Sequence, residues 1–383
     1  MIQTIIIYTS LALFMYYFIR KSSACKGIKS KLLYLFPIFL FTFIFGIRYG
    51  VGVDYFAYKD IYEGYHVGDF IYEVGEWSFY LICDICCNLN QSTPVFFSVL
   101  AFIQILFLFL AFKNRKSVWA YSVLALFLTG IGISGFNNII RQAIAFCIFV
   151  YSLTFIEKKQ LLNYCLCILF AFSFHISAII LFPIYFFFNK GQSYFQNIKL
   201  QFFIILCCYC ISWMNIGSIL SSRIEYLSIF LNYDGYFNTH FVETKSRSVF
   251  DVLVFLMNLL LIYNYPKVKE FYKDRLFEII YILFFISICL GYLLIDIHII
   301  WRILAYFSYL KFIVFGYYMF FFKKEIRCSY NNFFCGLFFM AYILSFYCYS
   351  VLYKSYNSCS IYSTYYQTDL YNKQERMNLD YYE

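Results

Sequence analysis

The stretch LLNYCLCILFAFSFHISAIILFPIYFFF, Leu161 to Phe188, decides how the rest of the chain is threaded. Its 28 residues exceed the roughly 20 that a helix needs to cross about 30 Å of hydrocarbon. It is therefore one tilted passage or two short pieces meeting at His175. The basic residues on either side distinguish the two. Lys and Arg cluster at Arg20 to Lys31, Lys113 to Lys116, Lys158 and Lys159, Lys190 to Lys199, Lys267 to Arg275, and Lys323 to Arg327. The clusters recur after alternate apolar segments, as expected when positive loops stay on one side of a membrane. Two short passages keep the last three clusters on the same side as the first three, whereas one passage reverses them. Each short piece spans about 21 Å by helical rise, less than a full crossing. The expectation is a re-entrant hairpin with His175 near its tip, and such tips normally line a cavity.

Outward from this segment, 63% of the chain is hydrophobic, 25% is aromatic and only 13% is charged, which water alone could not solvate. Apolar runs of about 20 residues fill nearly the whole length. The reading is an all-α polytopic membrane protein with about twelve membrane-passing segments, counting the short pair around His175. Continuous apolar runs disfavour a β-barrel, whose strands alternate lipid-facing and lumen-facing residues. Ile2 to Ile19 lacks a leading positive region and a small-residue cleavage site, so it is expected to be a retained helix. Residues 1–352 then form one membrane domain and 353–383 a Tyr-rich polar tail. The net charge of +9 follows the basic clusters and gives topology, so no nucleic-acid partner is expected. Most of the fifteen cysteines lie inside apolar runs and behave as small hydrophobes. No zinc spacing, P-loop or dinucleotide fingerprint is present, and neither a metal nor a cofactor is expected.

Four polar features stand out against this background. The first is GIRYGVGVDYFAYKDIYE, Gly46 to Glu63, where Arg48 ends an apolar run and Gly46, Gly50 and Gly52 permit close backbone approach. Asp54 there can pair with Arg48 or act on a substrate, while Arg48 can equally snorkel to headgroups. The second is Arg141, in SGFNNIIRQAIAF. An arginine at membrane depth costs about 2.5–3.5 kcal/mol on insertion scales, so a functional role is the default. The third is His175, which can satisfy a neighbouring helix or act on a substrate. The fourth is Arg302, in IDIHIIWRILAYF, close to Asp296 and His298. In the threading above, all four lie at the outer rim. Three guanidinium groups and an imidazole gathered there suit an oxyanion, and a lipid phosphate is the natural one in a membrane. Tyr49, Tyr55, Tyr58, Tyr62 and Tyr65 suit either an interfacial belt or stacking on sugar rings, and Tyr55 and Tyr58 are the candidates for glycan contact. In the loop Ser221 to Ser248, Arg223 and Arg247 are further glycan candidates.

These residues carry a resemblance. RYGVGVDYFAYKDIYE from Arg48, NNIIRQAIAF around Arg141, FSFHISAIILFPIYF around His175 and WRILAYF around Arg302 resemble, in order and spacing from about Leu32 to Tyr318, the EpsG family of exopolysaccharide polymerases, related in role to Wzy-type polymerases of O-antigen and capsule. The resemblance implies a metal- and nucleotide-independent glycosyltransferase. It would transfer a growing glycan from undecaprenyl diphosphate to a sugar hydroxyl of another lipid-linked repeat unit, at the outer face of a bacterial plasma membrane. Arg48, Arg141 and Arg302 would then stabilise the departing diphosphate, and His175 would be the base, with Asp54 as the alternative base or its orienting partner. Membrane lipids, a flippase and a chain-length regulator are the implied partners. A flippase for the same substrate, a ligase using the same donor, and a scaffolding subunit are the rival readings. The rim location of the charges and the lack of an internal repeat disfavour a transporter.

Overall fold

The computed structural model describes residues 2–67, 76–189, 193–213, 249–294, 298–325, 329–348, 362 and 364. Nearly all of them are helical, and the helices begin and end where local chemistry dictates. Helix α1 is Ile2–Ala24, α2 is Gly27–Gly46, α3 is Tyr55–Val67, α4 is Trp77–Asn88 and α5 is Thr93–Ala111. Pro94 sits in the first turn of α5, where its missing N–H costs nothing. Helix α6 is Lys116–Leu128; it ends before Gly130, whose φ of 69° only glycine adopts freely, and a π-helical turn, Ile131–Gly135, follows. Helices α7, Ile140–Glu157, α8, Leu161–Phe172, and α9, Ile184–Asn189, come next. Helix α10, Ile198–Ser212, is capped by the Asn197 side chain, and α12, Arg275–Leu293, by that of Asp274. The remaining helices are α11, Val249–Tyr272, α13, His298–Ser308, α14, Lys311–Glu325, and α15, Tyr330–Cys348.

The polytopic all-helical class is as expected, but twelve passages are not matched one for one. Among the described residues, seven helical stretches are long and apolar enough to cross a membrane. Lys116–Leu128, Leu161–Phe172, Ile176–Phe188 and Ile198–Ser212 are apolar but shorter. Composition records that a run is apolar; the caps, glycines and breaks within it set how far the helix extends.

The backbone divides into two compact units, Met1–Tyr185 with Phe315–Glu383, and Phe186–Val314. In the first, α1 packs on α2 and α6, α5 joins α2 to α7, and α8 lies on α7. Close approaches occur at small residues: a Cβ on Gly46 would collide with Ser98 of α5, and one on Gly316 of α14 with Ser122 of α6. In the second unit, α10, α11 and α12 enclose Ile205, Cys208, Phe255, Ile262, Phe285 and Cys289.

Charge is segregated along the first unit. Arg115 bonds Glu157 at 2.6 Å, Lys116 bonds Ser30 at 2.7 Å, and Arg20 and Lys323 both lie over the Tyr121 ring, at 5.8 and 5.5 Å. This end therefore gathers the end of α1, the starts of α2 and α6, and the ends of α7 and α14. Arg48, just past the end of α2, and Arg141, at the start of α7, lie at the opposite end of their helices. Such segregation suits a bundle whose basic loops share one side.

Candidate active site

The site is built on the break in Leu161 to Phe188. Helix α8 stops at Phe172, His175 is fully extended at φ −154° and ψ 121°, and a 3-10 turn, Ile176–Leu181, follows. The Tyr164 hydroxyl donates to the Leu181 carbonyl at 2.5 Å, and its ring lies 5.5 Å from that of Tyr185. In a continuous helix, residues 164 and 181 would be about 25 Å apart. The chain therefore doubles back, with His175 at the turn, as the charge pattern led us to expect. Helix α8, at 12 residues, spans about 18 Å and cannot cross a bilayer alone.

The start of α4 is stapled to this turn. The Ser78 amide donates to the Ser173 carbonyl at 3.0 Å, and the two hydroxyls bond each other at 2.6 Å. Two residues along each strand from that staple, Glu76 faces His175. One carboxylate oxygen, Oε1, lies 2.6 Å from His175 Nδ1, and the other, Oε2, accepts from Arg141 Nη1. The side chain of Glu76 is 8% exposed, against 18% for His175 and 20% for Arg141, so the carboxylate is enclosed while the two groups it holds keep an open face. Arg141 lies over the rings of Tyr58 and Phe79, at 5.6 and 5.3 Å. These aromatic faces supply attraction without a competing acceptor. Burial raises the pKa of the Tyr58 hydroxyl, Arg141 offsets part of the rise, and Asp54, whose carbonyl accepts from the Tyr58 amide at 3.0 Å, adds to it.

With the Glu76 carboxylate ionised and the imidazole neutral, the proton at this contact sits on Nδ1, because a carboxylate only accepts, and Nε2 is the acceptor. In that state the arrangement can take a proton at Nε2 beside a carboxylate able to stabilise the imidazolium.

Glu76 was not singled out from the sequence. It lies in YEVGEWSFY, outside the apolar runs, and nothing in its spacing ties residue 76 to residue 141 or 175. The one local signal is an acid directly before an aromatic helix. Asp54 was expected as an alternative base or as the orienting partner of His175; at His175 Nδ1 the serine staple brings residue 76 to the turn, and Glu76 makes that contact.

Arg48 is only 2% exposed. Its Nη1 donates to the Phe45 carbonyl, and its guanidinium lies 4.9 Å from the Phe97 ring centroid and 5.9 Å from those of Phe45 and Tyr55. Arg48, expected as a diphosphate ligand, is therefore enclosed, with one nitrogen on a backbone carbonyl. Tyr55 and Tyr58, expected as sugar-stacking faces, are also enclosed: Tyr55 stacks on Phe97 at 4.7 Å, and both are buried. Tyrosines spaced along a short helix pack inward as readily as they face a ligand, and here Phe97 of α5 and Phe79 of α4 receive Tyr55 and Tyr58. Arg302 belongs to the second unit, where it is exposed on α13. Arg223 and Arg247 lie outside the described residues. Among the described residues no group of three or more His, Cys, Asp or Glu side chains is arranged to hold a metal.

After Arg48 the backbone turns through Gly50 and Gly52, at φ 59° and 102°. The Asn138 side-chain oxygen accepts from the Val53 amide at 2.8 Å, and a Cβ on Gly52 would lie 2.6 Å from that oxygen and 3.0 Å from the Asn137 carbonyl. Gly52→Ala is expected to cost about 1–3 kcal/mol, from positive-φ strain and loss of this clamp. A fall in melting temperature in detergent, set against a Gly291→Ala control in which a helical glycine with open space around its Cβ is replaced without loss, checks it.

The EpsG family model matches residues 31–364 of this chain. The match runs past Tyr318, where the recognisable motifs end, and takes in Tyr362 and Thr364. No curated protein and no solved structure matches.

Proposed function

The chain belongs to the EpsG family, a Wzy-like exopolysaccharide polymerase family, and from that premise we propose that it joins lipid-linked oligosaccharide repeat units by glycosyl transfer at the outer face of a bacterial plasma membrane. The donor is a glycan on undecaprenyl diphosphate and the acceptor a sugar hydroxyl on a second lipid-linked unit. The acceptor oxygen bonds to the donor's anomeric carbon as the bond from that carbon to the phosphate oxygen breaks, and the hydroxyl proton passes to His175 Nε2. The electron pair of the broken bond leaves with the diphosphate. Polymer in capsule, O-antigen or free exopolysaccharide form is compatible with this step.

The observation that carries the reading is Glu76 held between His175 and Arg141 at the tip of a hairpin too short to cross a bilayer. His175 is the base, and Glu76 is a positioning residue that fixes its tautomer. With imidazole neutral, Arg141 and Glu76 cancel in charge; once His175 takes the proton, the trio carries one positive charge, at the moment the diphosphate gains negative charge. Arg141 remains the proposed electrostatic partner of the leaving group. Asp54, whose carbonyl accepts from the Tyr58 amide, is the proposed contact for the acceptor sugar.

A strain lacking the gene tests the reading. Loss of long glycan with accumulation of single outward-facing lipid-linked units is expected. Loss of every outward-facing unit would indicate a flippase, and free polymer that never reaches its acceptor a ligase. Complementation with Arg141→Lys should restore membrane insertion but leave chain growth about 10- to 150-fold down, since lysine keeps the charge and loses the planar fork, with one charge-assisted hydrogen bond. Full restoration of growth would return Arg141 to an anchoring role.

A further inference from the structure

Tyr362 and Thr364 lie far along the chain from every residue discussed above, yet they sit against Arg48. The Tyr362 amide donates to the Thr4 hydroxyl at 2.8 Å, and its own hydroxyl donates to the Ile44 carbonyl at 2.6 Å, in the last turn of α2. Its ring meets that of Tyr8 edge-on at 5.7 Å, and the residue is 3% exposed. Thr364 then forms an antiparallel bridge with the backbone of Arg48. Burial raises the pKa of the Tyr362 hydroxyl and the Arg48 charge offsets part of the rise, so the two groups are neighbours in side chain as well as in backbone.

The contacts continue from there towards the site. The Asn137 amide donates to the Tyr8 hydroxyl at 3.0 Å, so the ring that receives Tyr362 is held by the residue preceding Asn138. Asn138 holds the Val53 amide, and the chain then enters α3, where Tyr58 meets Arg141. Arg141 itself is three residues beyond Asn138. A buried arginine whose Nη1 is bonded to the Phe45 carbonyl at the end of α2, with aromatic rings beside it, is suited to fixing that backbone.

We infer that Tyr362, with Thr364, is a positioning element for the catalytic site: it clamps Arg48 and the glycine turn after it, and through α3 and Asn138 it sets the place of Arg141 against Glu76. This assignment rests on the polymerase reading for its effect on turnover, but not for its effect on the backbone at Arg48. Tyr362 is held by Thr4, Tyr8 and Ile44, and as a positioning residue its loss is expected to act on turnover rather than on substrate binding.

The test compares the full chain with a chain ended after Thr364, a chain ended after Ile361, Tyr362→Ala and Tyr362→Phe, all purified in the same detergent. Hydrogen exchange of amides 47–54 is read first, and turnover and KM on a lipid-linked repeat unit second. Ending after Thr364 should leave both unchanged. Ending after Ile361 and Tyr362→Ala should each speed exchange of 47–54 by about tenfold or more. Both should also lower turnover by up to about 10²-fold at unchanged KM, through misplacement of Arg141. Tyr362→Phe keeps the ring and should recover most of the turnover that alanine loses. Unchanged exchange at 47–54 without residues 362–383 overturns the inference whatever the activity. So does Tyr362→Phe as impaired as Tyr362→Ala, or a rise in KM with turnover intact. If the full chain makes no longer glycan, the polymerase reading fails, and the exchange result still decides whether the clamp exists.

Discussion

Glu76→Gln is expected to lower the turnover of chain growth by about 10²- to 10⁴-fold while the protein remains inserted and folded, because an amide in this position can present its NH₂ to Nδ1 and reverse the tautomer. Nε2 would then carry the proton and could no longer accept one. Glutamine is the informative replacement: it matches the size of a side chain that is only 8% exposed and keeps an oxygen for Arg141 Nη1. Alanine would leave the guanidinium without its carboxylate and confuse stability with chemistry. The pair of readings that checks the argument is turnover on a lipid-linked repeat unit and the imidazole nitrogen shifts of His175. Wild-type turnover with a reversed tautomer would separate Glu76 from the reaction.

His175→Gln is expected to remove the base itself, again with a loss of about 10²- to 10⁴-fold in turnover and little change in KM. The turn should survive the change. Its geometry rests on the Ser78 to Ser173 staple and on the Tyr164 to Leu181 bond, neither of which uses the imidazole. A merely structural histidine would behave otherwise: the melting temperature would fall, and turnover would recover at lower temperature. Kinetics and melting curves on the same preparation distinguish the two.

The hairpin was legible because two signals agreed on it: an apolar run too long for one passage, and basic clusters that keep a consistent side only if the run is folded in two. Arg141 was legible because a charge at membrane depth is costly enough to need a reason. Glu76 was not, since its partners are 65 and 99 residues away and only the docking of α4 on the hairpin brings them together. Arg48 shows a different limit. An arginine at a helix end that snorkels to headgroups and one buried beneath aromatic rings have the same local sequence, and what separates them here is Phe97 from α5 together with residues 362 and 364 from the tail. Tyr362 lies in a stretch without period or pattern, so no propensity could seat it beside Thr4 and Ile44.

The most direct measurement is the chain-length profile made by purified protein given a lipid-linked repeat unit and no other protein or nucleotide. A base held by Glu76 at the hairpin tip predicts a ladder of longer lipid-linked chains from the wild type and single units alone from His175→Gln. Single units from both, or the same ladder from both, would contradict it.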